Sequence, residues 1–121
     1  MSDLCETCIA PAVEEAGYKV KRADTDEHND PIMDRVLADV RRAPFVIAEL
    51  TENNAGVYYE AGFARGLETP VIYCVPGGCR PHFDVSGINQ VRWTDQQELR
   101  VRLRDRILGT IGRGPFERDS M

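Results

Sequence analysis

Two short apolar runs, Phe45-Val46-Ile47-Ala48 and Pro70-Val71-Ile72-Tyr73-Cys74-Val75, restrict the fold more than any other feature of this sequence. Each is too short for a buried helix and too apolar for a strand with one face in water. Runs of this kind belong to strands covered on both faces, as in parallel sheets. Between them, Val57 to Leu67 is helical in pattern. Strand, helix and strand together make a crossover unit of the usual length. The expected class is therefore α/β, with parallel strands over Phe45–Glu49 and Val71–Val75.

The flanking sequence extends this alternation. Leu4, Cys8, Ile9, Ala12, Val13 and Ala16 recur at helical spacing, with Pro11 kinking the helix or starting its second part and Gly17 as its stop. Tyr18 to Ala23 alternates apolar and basic residues, which predicts a short half-exposed strand near Lys19–Arg22. Asp30-Pro31 starts a second helix, with Ile32, Met33, Val36, Leu37 and Val40 as its buried stripe. A last, edge-like strand is expected near Gln90–Trp93, and Thr94-x-x-Gln97 reads as a capping box. Leu99, Leu103, Ile107 and Ile111 form the stripe of a final helix that Gly112 ends. Arg100, Arg102, Arg104 and Arg106 are spread around that helix and read as a solvated surface. The length of 121 residues suits one domain, residues 1–112, followed by a frayed tail, 113–121.

Composition excludes several function classes. A net charge of −5 provides no basic face for nucleic acid or an anionic membrane. No apolar run approaches the roughly 20 residues that span a bilayer. Met1-Ser2-Asp3-Leu4 lacks the basic and apolar regions of a secretory signal, so the expected compartment is the cytoplasm. There thiols are expected instead of disulfides. Cys5-x-x-Cys8 invites a zinc or redox reading, but Cys74 sits within an apolar strand and the gap to Cys79 is longer. The expectation is no structural metal, with Cys8 packed inward on its helix.

Chemistry concentrates in one segment. Open parallel sheets bind ligands beyond the carboxyl ends of their strands. Strand Phe45–Ala48 delivers the chain there, and Glu49-Leu50-Thr51-Glu52-Asn53-Asn54-Ala55-Gly56-Val57-Tyr58-Tyr59-Glu60-Ala61-Gly62 follows. Asn53 and Asn54 can cap the next helix and offer amides to a ligand. Gly56 permits close backbone approach. Glu60, in about the first turn, has the helix dipole to favour its ionised form. An ionised carboxylate at a strand's carboxyl end can attack or stabilise a sugar-like cation. Acidic residues are also common in first turns simply as partners of the dipole.

Ile47-Ala48-Glu49-Leu50-Thr51, followed by Asn54-x-x-Val57-x-Tyr59-Glu60-x-Gly62-x-Ala64, resembles the nucleoside 2-deoxyribosyltransferase-like family and its TIR-like nucleotide-binding relatives. Pro81-His82-Phe83-Asp84-Val85 and Pro11-Ala12-Val13-Glu14-Glu15-Ala16-Gly17-Tyr18 are similar to further segments of that group. The resemblance spans roughly Ile9 to Ile111 and is most specific at Tyr-Glu-x-Gly. The chain departs from the family pattern with Glu49 for Asp, Ala55 for Pro, Gly56 for Asn and Ala61 for Leu. The family's opening strand has no counterpart after Met1, which would make the chain truncated or rearranged.

The resemblance implies a flavodoxin-like three-layer α/β fold with an open, mainly parallel sheet, here with the first strand missing. It implies a glutamate nucleophile at Glu60 and an orienting acid for which Asp34 is the nearest candidate. Glu49, Thr51, Asn54, Gly56 and Tyr59 are the candidate substrate-binding residues. The expected substrate is a small nucleoside or nucleotide whose N-glycosidic bond is transferred or hydrolysed, with no metal or other cofactor. A non-catalytic nucleotide-binding or TIR-like signalling domain is the alternative. The absent strand also predicts that Tyr18–Ala23 pairs with Phe45–Ala48, or that another chain completes the sheet in a homo-oligomer.

Overall fold

The computed structural model describes residues 5–21, 37–50, 55–77 and 89–116, with the side chains of residues 5–6 and 55–60 excepted. A π-helical turn, Cys5–Ile9, runs into helix α1, Ala10–Glu15; residues 37–42 form helix α2. Strand β1 (Val46–Glu49), helix α3 (Ala55–Gly66), strand β2 (Val71–Pro76), strand β3 (Gln90–Trp93) and helix α4 (Gln96–Thr110) follow. The fold is mixed α/β with a small open parallel sheet in the order β1-β2-β3, consistent with a flavodoxin-like α/β fold. The chain divides into two compact units, residues 1–21 with 91–121, and residues 22–90.

In the second unit, β1 and β2 are parallel in the register Val46↔Val71 to Glu49↔Cys74. The ladder opens with Val46 N–H donating to the Pro70 carbonyl (2.9 Å) and closes with Leu50 N–H donating to that of Cys74 (3.0 Å). Across β2, Tyr73 N–H donates to the Asn89 carbonyl (2.9 Å) at the entry to β3. All five residues from Val71 to Val75 are buried, the two-faced burial that their apolar run predicts. In β1, Val46 and Ile47 are only half-buried, which corrects that expectation for the Phe45–Ala48 run: β1 is the outer strand of the described sheet. The period of two then divides the β2 residues. Val71, Tyr73 and Val75 join Ala48, Leu50 and Val40 in one core cluster, with Ala61 and Ala64 from α3. Methyl-sized side chains at 61 and 64 bring α3 close to its strands.

The first unit is built on α1 and α4. Pro11 is tolerated near the start of α1, where its absent N–H is not needed. The π-helical turn precedes it where a regular helix would set the proline ring against the Thr7 carbonyl. Gly17, at φ +96°, closes the helix: its N–H donates to Glu14 and that of Tyr18 to Val13, a Schellman arrangement. Leu99, Leu103 and Ile107 are fully buried along α4, and Cys8, Ala12, Val13 and Ala16 are buried on the facing elements. Gly112, at φ +101°, ends α4.

Several sequence expectations are corrected. Residues 18–21 form no strand; Arg22 and Ala23 lie outside the described residues. The C-terminal segment takes the place of a sheet neighbour. Gly114 N–H donates to the Ala16 carbonyl (2.8 Å), Phe116 N–H to that of Gly17 (3.0 Å), and the Tyr18 hydroxyl to that of Gly112 (2.7 Å). Lys19 covers the Phe116 ring at 4.4 Å. Residues 113–116 are therefore docked instead of frayed.

The α4 cap is shifted by one residue from Thr94. Asp95 is the N-cap and accepts from Glu98 N–H (2.8 Å), while Glu98 accepts from the Thr94 N–H (2.7 Å) and hydroxyl (2.8 Å). The arginines of α4 are engaged as well as solvated. Arg100 donates to Glu15 through Nε (3.1 Å) and Nη2, and Arg104 reaches the same carboxylate at 3.4 Å. Arg102 pairs with Glu98 at 3.0 Å. The start of α2 predicted at Asp30-Pro31, and its stripe residues Ile32, Met33 and Val36, lie outside the described residues.

Candidate functional site

The carboxyl edge of the β1–β2 pair is set by the crossover. β1 ends at Glu49, Leu50 makes one more ladder bond, and α3 runs from Ala55 to Gly66. Because β1 and β2 are parallel, α3 must run back along them, which puts its first residues at their carboxyl ends and its last at their amino ends. The sequence predicts this much, and the structure bears it out.

Of the candidate residues, Glu49 is half-buried at the end of β1, opposite Cys74 in the parallel register. Gly56, Tyr59 and Glu60 share one helix, and the rise from 56 to 60 is about 6 Å. Asp34, Thr51 and Asn54 lie outside the described residues, as do Asn53 and the Pro81–Val85 segment. The structure thus brings Glu49, Gly56, Tyr59 and Glu60 onto one crossover.

Glu60 is the sixth residue of α3, and the first turn of that helix contains no acidic residue. This corrects the expected first-turn position. The dipole's influence fades within one turn, so position 60 lies beyond its main reach. Position 60 is instead one residue before buried Ala61 and one turn before fully buried Ala64, on the stretch where α3 approaches the strands.

Cys8 is buried on the π-helical turn and Cys74 within β2, both as free thiols. Cys79 and the Cys5 side chain lie outside the described residues.

Sequence reading passes over the far end of α3. Glu68 adopts φ +64°, the left-handed conformation usually reserved for glycine at a helix C-terminus. Glu68 N–H donates to the Arg65 carbonyl and Thr69 N–H to that of Ala64, each at 2.9 Å, completing a Schellman motif without its glycine. The local signal was a Gly66-Leu67-Glu68-Thr69-Pro70 stretch in which the glycine precedes the stop by two residues. Comparison with protein-family models, with curated proteins and with solved structures gives no match to this chain.

Proposed function

We propose that the chain acts on the N-glycosidic bond of a nucleoside or nucleotide, with Glu60 as nucleophile. The observation that carries the reading is the parallel β1–α3–β2 crossover, which holds Gly56, Tyr59 and Glu60 on the helix that follows the carboxyl end of β1. The resemblance of Tyr59-Glu60-Ala61-Gly62 to the deoxyribosyltransferase-like motif supports the same assignment. In this chemistry the Glu60 carboxylate bonds to the anomeric carbon as the carbon–nitrogen bond breaks. The bonding pair leaves on the base, which takes up a proton. A second base, or water, then attacks the same carbon, releases the sugar and restores the carboxylate. Glu49, Thr51, Asn54, Gly56 and Tyr59 would line the substrate, and Asp34 would hold sugar hydroxyls.

The test is base release from a panel of deoxynucleosides, ribonucleosides, their monophosphates and NAD. Glu60→Gln keeps the shape of the side chain and removes the negative charge, so turnover falls at least 100-fold while the melting curve is retained. Glu52→Ala stays within a few-fold of the parent. Equal turnover by Glu60→Gln overturns the assignment. A parent that releases no base from any substrate, yet is thermally stabilised by a nucleotide, favours a non-catalytic nucleotide-binding domain.

A further inference from the structure

A pocket of about 310 Å³ opens at the amino end of β2, at the opposite end of α3 from Ala55. Its floor is apolar, from Pro70, Val71 and Tyr73, with Thr69 and Asn89 adding neutral polar groups. Its two charges are Arg65 and Glu68, both exposed. They stand three residues apart at one helix end, a spacing at which opposite charges ordinarily meet. Neither makes a hydrogen bond or an ion pair through its side chain among the described residues. The reason is local. Glu68 has left the helical path at φ +64°, so its side chain no longer stacks along the stripe of Arg65. A non-glycine residue pays strain for that conformation. As a result, an exposed acid and an exposed, unpaired guanidinium line the same pocket.

We propose that this cavity binds a small zwitterion, such as a free α-amino acid, with its anionic end on Arg65 and its cationic end on Glu68. A guanidinium presents paired N–H donors in the geometry of a carboxylate. A glutamate carboxylate accepts from an ammonium. The volume is at the lower end of the ligand-site range and leaves room for a small amino acid. The apolar floor of Val71 and Tyr73 offers contact to a small aliphatic side chain. This proposal is independent of the glycosidic reading, because it uses other residues at the other edge of the sheet.

The experiment titrates the full chain at low ionic strength with L-alanine, L-serine and L-valine, followed by calorimetry and by the backbone amide shifts of Thr69 and Asn89. Acetate and methylammonium serve as half-ligands. At least one amino acid binds saturably in the millimolar range or tighter, and at least tenfold more tightly than either half-ligand. Arg65→Gln and Glu68→Gly each weaken it at least tenfold. Glu68→Gly also holds or raises the melting temperature, because glycine adopts the left-handed turn without strain; a purely structural Glu68 would not couple that change to a loss of binding. The proposal is overturned if none of the three amino acids binds saturably, if the half-ligands bind as tightly, or if both variants bind like the parent.

Discussion

Gly17→Ala tests whether the close crossing of two backbone segments holds the first unit together. A Cβ built on Gly17 would lie 2.7 Å from the Gly114 carbonyl oxygen, 2.8 Å from its nitrogen and 3.0 Å from its carbonyl carbon. These are backbone atoms, so no side-chain rotation relieves the clash. The left-handed conformation at φ +96° adds strain of about 1–2 kcal/mol for an L-residue. Moving the 114 segment away forfeits the Gly114-to-Ala16 and Phe116-to-Gly17 hydrogen bonds, each with a net contribution of about 0.5–1.5 kcal/mol. The total loss is about 2–5 kcal/mol, a large part of the roughly 5–15 kcal/mol that stabilises a domain. Urea unfolding followed by Trp93 fluorescence and far-UV circular dichroism reads it. With m near about 2 kcal/mol/M, the midpoint drops by about 1–2.5 M. The same substitution made in a chain ending at Gly112 has no Gly114 to strike and no segment to displace, so its cost falls to the strain alone. Gly62→Ala supplies the opposite sign. It is exposed in α3, and no described atom comes within 4 Å of the added methyl. It should stabilise by about 0.5–1 kcal/mol. Equal cost of Gly17→Ala in the full and shortened chains would refute the crossing as its cause.

Leu103→Ala empties a fully buried position in the middle of α4 and should cost about 2–5 kcal/mol by the same unfolding assay; a loss under about 1 kcal/mol would mean the site collapses without a cavity. Glu98 is held below the ordinary carboxylate range, first by the Thr94 N–H, then by the Thr94 hydroxyl, with Arg102 adding to the effect. A lowered folded-state value means its contribution to stability is present above the unfolded glutamate value and is lost as pH falls from there through the folded one. Glu98→Gln should therefore flatten the acid limb of the stability–pH curve and leave the slope near neutrality unchanged; an unaltered acid limb would count against the cap.

What was legible in the sequence was local. The runs at Phe45–Ala48 and Val71–Val75, the α4 stripe of Leu99, Leu103 and Ile107, and the stops at Gly17 and Gly112 follow from two things readable within a few residues. These are the period at which apolar side chains recur and the φ angles that only glycine accepts freely. The crossover carrying Glu60 was legible for the same reason, because a parallel pair of strands needs a helix between them. The turn in which Glu60 falls was not, since it depends on where α3 begins. The sequence also placed a strand at Lys19–Arg22 from alternation alone, and alternation says nothing about whether a neighbouring strand is there to pair with. Tertiary structure decided the rest: the register that sets Glu49 opposite Cys74, the docking of Gly114 on Gly17, and the joining of Glu15 to Arg100 and Arg104. Glu15 and Arg100 are 85 positions apart in the chain. Partners at that separation leave no periodic trace, because their meeting depends on how whole helices pack and not on the spacing within either one.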